Sequence, residues 1–195
     1  MPVLHRQERR SMSEFIIVPG IGGSGEAHWQ TRWQRANPAM RRFSPASWEQ
    51  PDLDDWIGAL DAAVAAANAP PVLIAHSLGC LLVAHWQQVS RRAVAGAFLV
   101  AVPDPASEAF PASARSFAGT PAGRLRFPSL IVASSDDPYG SLEYAGTKAA
   151  QWGSGLHVAG TLGHINGDSG LGDWAEGMEL LAAFASEVQR ETAGA

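Results

Sequence analysis

Apolar and polar positions along the chain fall into two alternating kinds of segment. Short aliphatic runs that end in glycine, proline or polar residues predict strands, and longer stretches with apolar residues at three- and four-residue spacing predict helices. The predicted strands are Glu14 to Pro19, Arg41 to Pro45 (weakly), Pro71 to Ala75, Ala93 to Val102, Phe127 to Ser134 and Gly155 to Gly160. The predicted helices begin near Glu26, Asp52, Leu78, Leu142 and Asp173.

The regular alternation predicts an α/β fold with about six mostly parallel strands and helices on both faces of the sheet. The run from Ala93 to Val102 is apolar on both sides, as expected for a strand in a sheet that is covered twice. We expect residues 14–195 to form a single domain and residues 1–13 to be a mobile extension. Whether translation starts at Met1 or at Met12 is left open.

Composition narrows the class of protein and its partners. The 195 residues are 46% hydrophobic with a net charge of −5, which argues against a nucleic-acid partner. The single cysteine, Cys80, excludes an internal disulfide, and the histidine spacing indicates no metal site and no cofactor. The chain lacks an apolar run of about 18 residues and an apolar leader, so we expect a cytoplasmic protein with no membrane partner.

A serine stands where a predicted strand turns into a predicted helix. The local sequence is Ala75-His76-Ser77-Leu78-Gly79, which matches the nucleophile elbow G-x-S-x-G except for alanine in place of the first glycine. One interpretation is a nucleophilic serine held on a tight turn. The other is a serine that caps the helix N-terminus, and this short motif alone does not decide between them.

A nucleophilic serine needs a base and an acid, and in this type of fold they follow the serine in the order acid, then histidine. His164 follows the last predicted strand and is the candidate base. Asp136 and Asp137 follow the preceding strand; Pro138 favours Asp137 because it holds that residue extended. Asp104, after another strand, is a third candidate for the acid.

Backbone amides near Ser77 are candidate donors to an oxyanion. Leu78, at the start of the helix, supplies one, and Ile21 or Gly22, in the glycine-rich loop after the first strand, supplies the second. That loop lacks the lysine of a phosphate-binding loop and the glycine register of a dinucleotide site. Gly22, His28 and His76 are possible pocket residues, although packing is the plainer interpretation of both histidines.

Several segments together resemble a family of small serine hydrolases. The likeness is to the retinoblastoma-binding protein 9/YdeN-like family, within the α/β-hydrolase fold, and it extends from residue 14 to about residue 190. The segments are IIVPGIGGSGEAHWQTRW, WEQPDLDDW, LIAHSLG, SSDDPYG and GHIN. The resemblance implies a compact fold, Ser77 as nucleophile, Asp137 as acid, His164 as base, and hydrolysis of carboxylic esters.

These features together predict a serine esterase that works through an acyl-enzyme and takes a small-molecule ester. The longest candidate insertion, residues 104–126, leaves room for a minimal lid at most, so we expect small or short-acyl substrates. Two alternatives stay open: a non-catalytic protein-binding module on the same fold, and an acyltransferase that uses the same triad. The sequence identifies no protein partner.

Overall fold

Six parallel strands form one sheet at the centre of the protein, in the spatial order β2-β1-β3-β4-β5-β6. The coordinates are those of a computed structural model and describe residues 14–193. The strands are β1 (Phe15–Val18), β2 (Met40–Arg42), β3 (Val72–His76), β4 (Gly96–Val100), β5 (Ser129–Ala133) and β6 (Gly155–Val158). The predicted strand number, the parallel direction and the fold class are confirmed.

Helices cover both faces of this sheet, as predicted. They are α1 (Trp29–Ala36), α2 (Leu53–Ala65), α3 (Leu78–Val89), α4 (Leu142–Trp152) and α5 (Ala175–Ala193). Alternate side chains of a strand point to opposite faces, so Ile16 belongs to the part of the core that includes residues of α2, α3 and α4, whereas Ile17 belongs to the part that includes residues of α1 and α5. Both isoleucines are fully buried, which explains why the central strands are apolar throughout.

Capping side chains fix where the helices begin. Asp52 accepts a hydrogen bond from the amide of Asp55 at the start of α2, and Ser141 accepts one from Tyr144 at the start of α4. Helix α1 begins later than predicted near Glu26, because the ring of His28 takes the N-cap position and accepts from Gln30. Histidine is not among the residues preferred at the N-cap position, so the predicted start of α1 near Glu26 was wrong.

The segment between β4 and β5 adds no layer to the fold. It contains one short 3-10 helix, Ala112–Phe117, whose residues Ala114 and Phe117 are buried in the core beside α3. This anchoring makes the segment a wall at the end of the sheet rather than a separate cap domain.

The predicted mobile extension, residues 1–13, lies outside the described residues, so the domain boundary at residue 14 stays a prediction. Within residues 14–193, no helix combines the length and the apolar character needed to cross a membrane.

Candidate active site

Ser77 occupies a strained turn directly after β3. Its backbone angles, φ 52° and ψ −124°, are unusual for a residue that carries a side chain. Two glycines leave room for the turn: a Cβ on Gly20 would lie 2.9 Å from the Cβ of Ser77, and one on Gly79 would overlap the carbonyl oxygen of Val18. Ala75 replaces the usual first glycine without a clash because its methyl group points into the core.

The hydroxyl of Ser77 is bonded to His164 and not to the helix that follows it. Ser77 stands at the N-cap position of α3, yet its side chain makes no capping hydrogen bond. Its Oγ lies 2.8 Å from Nε2 of His164, a residue 87 positions later in the chain. The capping interpretation of Ser77 therefore does not describe this geometry.

Asp137 is the carboxylate that meets His164. Nδ1 of His164 lies 2.9 Å from Oδ1 and 3.0 Å from Oδ2 of Asp137, whose side chain is only 2% exposed. The amide of Tyr139 also donates to Oδ1 of Asp137, which fixes the carboxylate in place. The structure thus aligns Ser77, His164 and Asp137 in one hydrogen-bonded chain.

The two other acid candidates face elsewhere. Asp136 is exposed and accepts hydrogen bonds from the hydroxyl of Ser134 and the amide of Gly163. These bonds, that of Ser134 foremost, lower the pKa of Asp136. The carboxylate of Asp104 accepts from the amide of Ala106 in its own turn. Neither Asp104 nor Asp136 forms a hydrogen bond with the ring of His164 among the described residues.

Two backbone amides beside Ser77 are available to donate hydrogen bonds to a ligand. Within residues 14–193, no acceptor takes the amide hydrogens of Leu78 and Ile21. The alternative donor weighed from the sequence, Gly22, is excluded in this geometry because its amide donates to the carbonyl oxygen of Trp48 at 3.1 Å. Gly22 still lines the cavity, as expected of a pocket residue.

A half-buried arginine, Arg42, holds the loop that carries Ile21. Arg42 donates through its guanidinium to the carbonyl oxygens of Gly23 and Ser24 and to the hydroxyl of Thr31. Burial lowers the pKa of Arg42, but the group keeps its charge at neutral pH. The sequence analysis missed this role of Arg42, because the glycine-rich loop and strand β2 meet only in the folded protein.

His28 and His76 both line the cavity beside His164. The rings of His28 and His76 meet edge to face with centroids 4.6 Å apart, and Nε2 of His76 lies 2.9 Å from the carbonyl oxygen of His164. Burial, followed by the charges of Arg42 and His164, lowers the pKa of His28 to about 3. Burial also lowers the pKa of His76 well below its ordinary value, so both rings are neutral at pH 7.

A cavity of about 540 Å³ opens onto Ser77 and His164. Its walls come from the glycine-rich loop, from the segment between β4 and β5, and from the loop that follows β6. The lining side chains beyond those already described include Glu26, Pro103, Phe110, Pro111, Tyr139, Asn166 and Asp168. In the described part of the chain, no cluster of histidine, cysteine or carboxylate residues has the geometry of a metal site.

Comparisons with known proteins assign this chain to a family. A family model described as "Serine hydrolase" matches residues 15–183, which is most of the chain. The chain belongs to the serine hydrolase family. A crystal structure of a YdeN-like hydrolase from Pectobacterium atrosepticum shares 34% sequence identity with this hydrolase, with a TM-score of 0.82 over 91% of this chain and 92% of that chain.

More distant structures share the fold of this hydrolase. The ydeN gene product of Bacillus subtilis is 20% identical, with a TM-score of 0.71 over 90% of this chain and 100% of that one. An esterase domain from a Rhodothermus marinus protein is 16% identical, with a TM-score of 0.61 over 85% and 86% of the two chains. A search of curated protein sequences found no significant match. The resemblance to a YdeN-like family that the sequence motifs indicated is confirmed.

Proposed function

We propose that this hydrolase cleaves small or short-acyl carboxylic esters, with Ser77 as nucleophile, His164 as general base and Asp137 as the acid that orients it. The observation that carries the proposal is the continuous chain from Oγ of Ser77 to Nε2 of His164, and from Nδ1 of His164 to Asp137, at 2.8 and 2.9 Å. Nucleophile, base and orienting carboxylate at these distances are the arrangement that activates a serine hydroxyl.

In the first half of the reaction, Oγ of Ser77 attacks the ester carbonyl carbon while Nε2 of His164 takes the hydroxyl proton. Asp137 holds the imidazole in the tautomer with its proton on Nδ1 and stabilises the imidazolium that forms. The tetrahedral intermediate then collapses, His164 returns the proton to the departing alkoxide, and an alcohol leaves. The acyl group stays on Ser77 as an ester.

The second half repeats these steps with water. His164 takes a proton from water, the hydroxide adds to the acyl carbon, and the carboxylic acid leaves as the proton returns to Oγ of Ser77. In both halves, the free amides of Leu78 and Ile21 are the donors to the oxyanion. The position of Leu78 at the N-terminus of α3 adds the favourable field of the helix dipole.

The lining of the cavity favours a substrate with a small acyl group. Phe110, Pro111 and Ala114 line it, and Ala114 is anchored in the core by the short helix that contains it. A cavity of about 540 Å³ lies within the range of pockets that enclose small molecules. We therefore expect acetyl and butyryl esters to be cleaved faster than esters of long fatty acids.

The first experiment is labelling with a fluorophosphonate probe, followed by hydrolysis of p-nitrophenyl esters of increasing chain length. Wild type should label and cleave the short esters, and Ser77→Ala and His164→Ala should do neither. His157→Ala, in strand β6 and outside the cavity lining, is the matched control and should behave as wild type. A folded wild type that neither labels nor cleaves would favour a binding module, and acyl transfer to an added alcohol in preference to water would favour an acyltransferase.

A further inference from the structure

The loop that carries His164 holds a strained residue next to the base. Ile165 has a φ of 47° although it is β-branched, and its side chain is fully buried. A β-branched residue rarely adopts this conformation, and such strain persists only where the surrounding contacts impose it. The contacts that hold Ile165 therefore bear directly on where the ring of His164 lies.

Two buried side chains donate hydrogen bonds to consecutive carbonyl groups of this loop. Nε2 of His76 donates to the carbonyl oxygen of His164 at 2.9 Å, and Nε1 of Trp29 donates to that of Ile165 at 2.7 Å. A carbonyl oxygen only accepts, so His76 must carry its proton on Nε2. We call Trp29 and His76, with these two bonds, the carbonyl clamp.

Both residues of the carbonyl clamp are buried and belong to regular elements of the fold. Trp29 begins α1, and His76 ends β3 immediately before Ser77. The two rings face each other at right angles with centroids 6.1 Å apart, and the ring of His28 packs against both. The clamp therefore connects the strand that presents the nucleophile with the loop that presents its base.

We propose that Trp29 and His76 are positioning residues that hold the backbone of His164 and Ile165 so that the imidazole meets Ser77. This inference rests on the proposed function, since it assigns the two residues a role in the same reaction. It also assigns a role to Trp29, which lies in one of the segments that carry the family resemblance. Trp29 acts through the backbone of the loop, whereas the ring of His76 also packs edge to face against the ring of His164, with centroids 4.9 Å apart.

The test compares variants that differ in one donor. His76→Met removes the donor while keeping a side chain of comparable length, and His76→Gln restores an amide N–H near the position of Nε2. We expect His76→Met to lower kcat on a p-nitrophenyl ester by about 10- to 100-fold, since a small misplacement of the base has that effect. The KM should stay nearly unchanged, and His76→Gln should recover most of the lost kcat.

Tryptophan variants supply a second, matched pair. Trp29→Phe keeps an aromatic ring and removes the bond to Ile165. Trp33→Phe removes an equivalent bond in the same aromatic cluster, from Nε1 of Trp33 to the carbonyl oxygen of Asp173 at 2.6 Å. Trp29→Phe should lower kcat about tenfold and Trp33→Phe should leave it unchanged. The low-field proton resonance of the bond between His164 and Asp137 should shift or broaden only in the clamp variants.

The outcomes separate this inference from the proposed function. A wild type without esterase activity or labelling overturns the proposed function. An active wild type with equal kcat in His76→Met and His76→Gln overturns the clamp, as does equal loss in Trp29→Phe and Trp33→Phe. If His76→Met does not fold, the tryptophan pair decides, because both phenylalanine variants keep their aromatic packing.

Discussion

Two adjacent carboxylates at the end of β5 perform different tasks because their side chains point apart. Asp137 is nearly enclosed and bonded to the ring of His164, whereas Asp136 is exposed and bonded to the amide of Gly163. Asp136 thus connects the loop that carries His164 to the end of the strand that carries Asp137. One residue orients the imidazole, and its neighbour orients the loop.

Replacing these two aspartates by asparagine should have very different effects. Asp137→Asn removes the negative charge that stabilises the imidazolium and can place an N–H group opposite Nδ1, which selects the wrong tautomer of His164. Turnover should therefore fall on the order of 10⁴-fold, as in other triads. Asp136→Asn keeps an oxygen acceptor for Gly163 and should lower kcat by less than about tenfold. The measurement is kcat on a p-nitrophenyl ester. Full activity in Asp137→Asn, with a large loss in Asp104→Asn, would show that the acid has been assigned wrongly.

The position of Ser77 depends on a close approach between helix α3 and the end of strand β1. Helix α3 lies so near the end of β1 that a Cβ on Gly79 would overlap the carbonyl oxygen of Val18 and lie 2.8 Å from that of Pro19. The same approach sets the amide of Leu78 beside the glycine-rich loop. The second glycine of the elbow is thus required by packing between a helix and a strand, whereas the first position tolerates alanine.

Glycine-to-alanine substitutions in two helices should change stability in opposite directions. Gly79→Ala forces α3 away from β1 and should lower the free energy of unfolding by about 3 kcal/mol. Gly58→Ala is the matched control, because Gly58 is exposed in α2 and an added Cβ meets nothing within 4 Å. It should raise the free energy of unfolding by about 0.5–1 kcal/mol. Urea unfolding measures both, and equal effects would contradict the close approach.

The sequence predicted the elements and the three aligned side chains because each has a local signal. Strands and helices follow from apolar spacing, and Ser77, Asp137 and His164 each follow a predicted strand. The contacts that hold these residues have no such signal. Arg42 reaches the carbonyl groups of the glycine-rich loop, and Trp29 reaches Ile165, which is 136 positions away in the chain. Bonds from a side chain to a distant backbone carbonyl depend on topology, which residue types alone do not encode.

Two buried, neutral imidazoles, those of His28 and His76, lie beside His164 in a protein whose net charge is −5. His28 and His76 are almost fully enclosed, and burial is the main cause of the lowered pKa of each. Charging either ring in the folded state would place a cation beside the other and beside His164. Folding therefore holds these histidines in their neutral form, whereas unfolding releases them to bind protons near pH 6.5.

This difference predicts a loss of stability in mild acid. The pKa of His28 is about 3 in the folded protein, so between pH 6.5 and pH 3 the unfolded chain binds a proton there and the native protein does not. The free energy of unfolding should fall, as the pH falls through this range, by about 1.4 kcal/mol per pH unit on account of His28. His76, whose pKa is also well below its ordinary value, acts in the same direction. Carboxylates such as Asp136, with an ordinary pKa of 3.8 and a lower one in the fold, begin to lower the free energy of unfolding only in the acid part of this range, as the pH approaches 3.8.

The variant that isolates this effect is His28→Asn, which keeps an acceptor for the amide of Gln30 at the start of α1 but cannot be protonated. Urea unfolding between about pH 6.5 and pH 4.5 should give a shallower dependence of stability on pH in His28→Asn than in wild type. The slope of the free energy of unfolding against pH should be smaller in His28→Asn by nearly the contribution of one bound proton, because His76 is unchanged in the variant. Parallel curves for the two proteins would mean that His28 binds its proton equally well in the folded and unfolded states, and that its ring is not held neutral by burial.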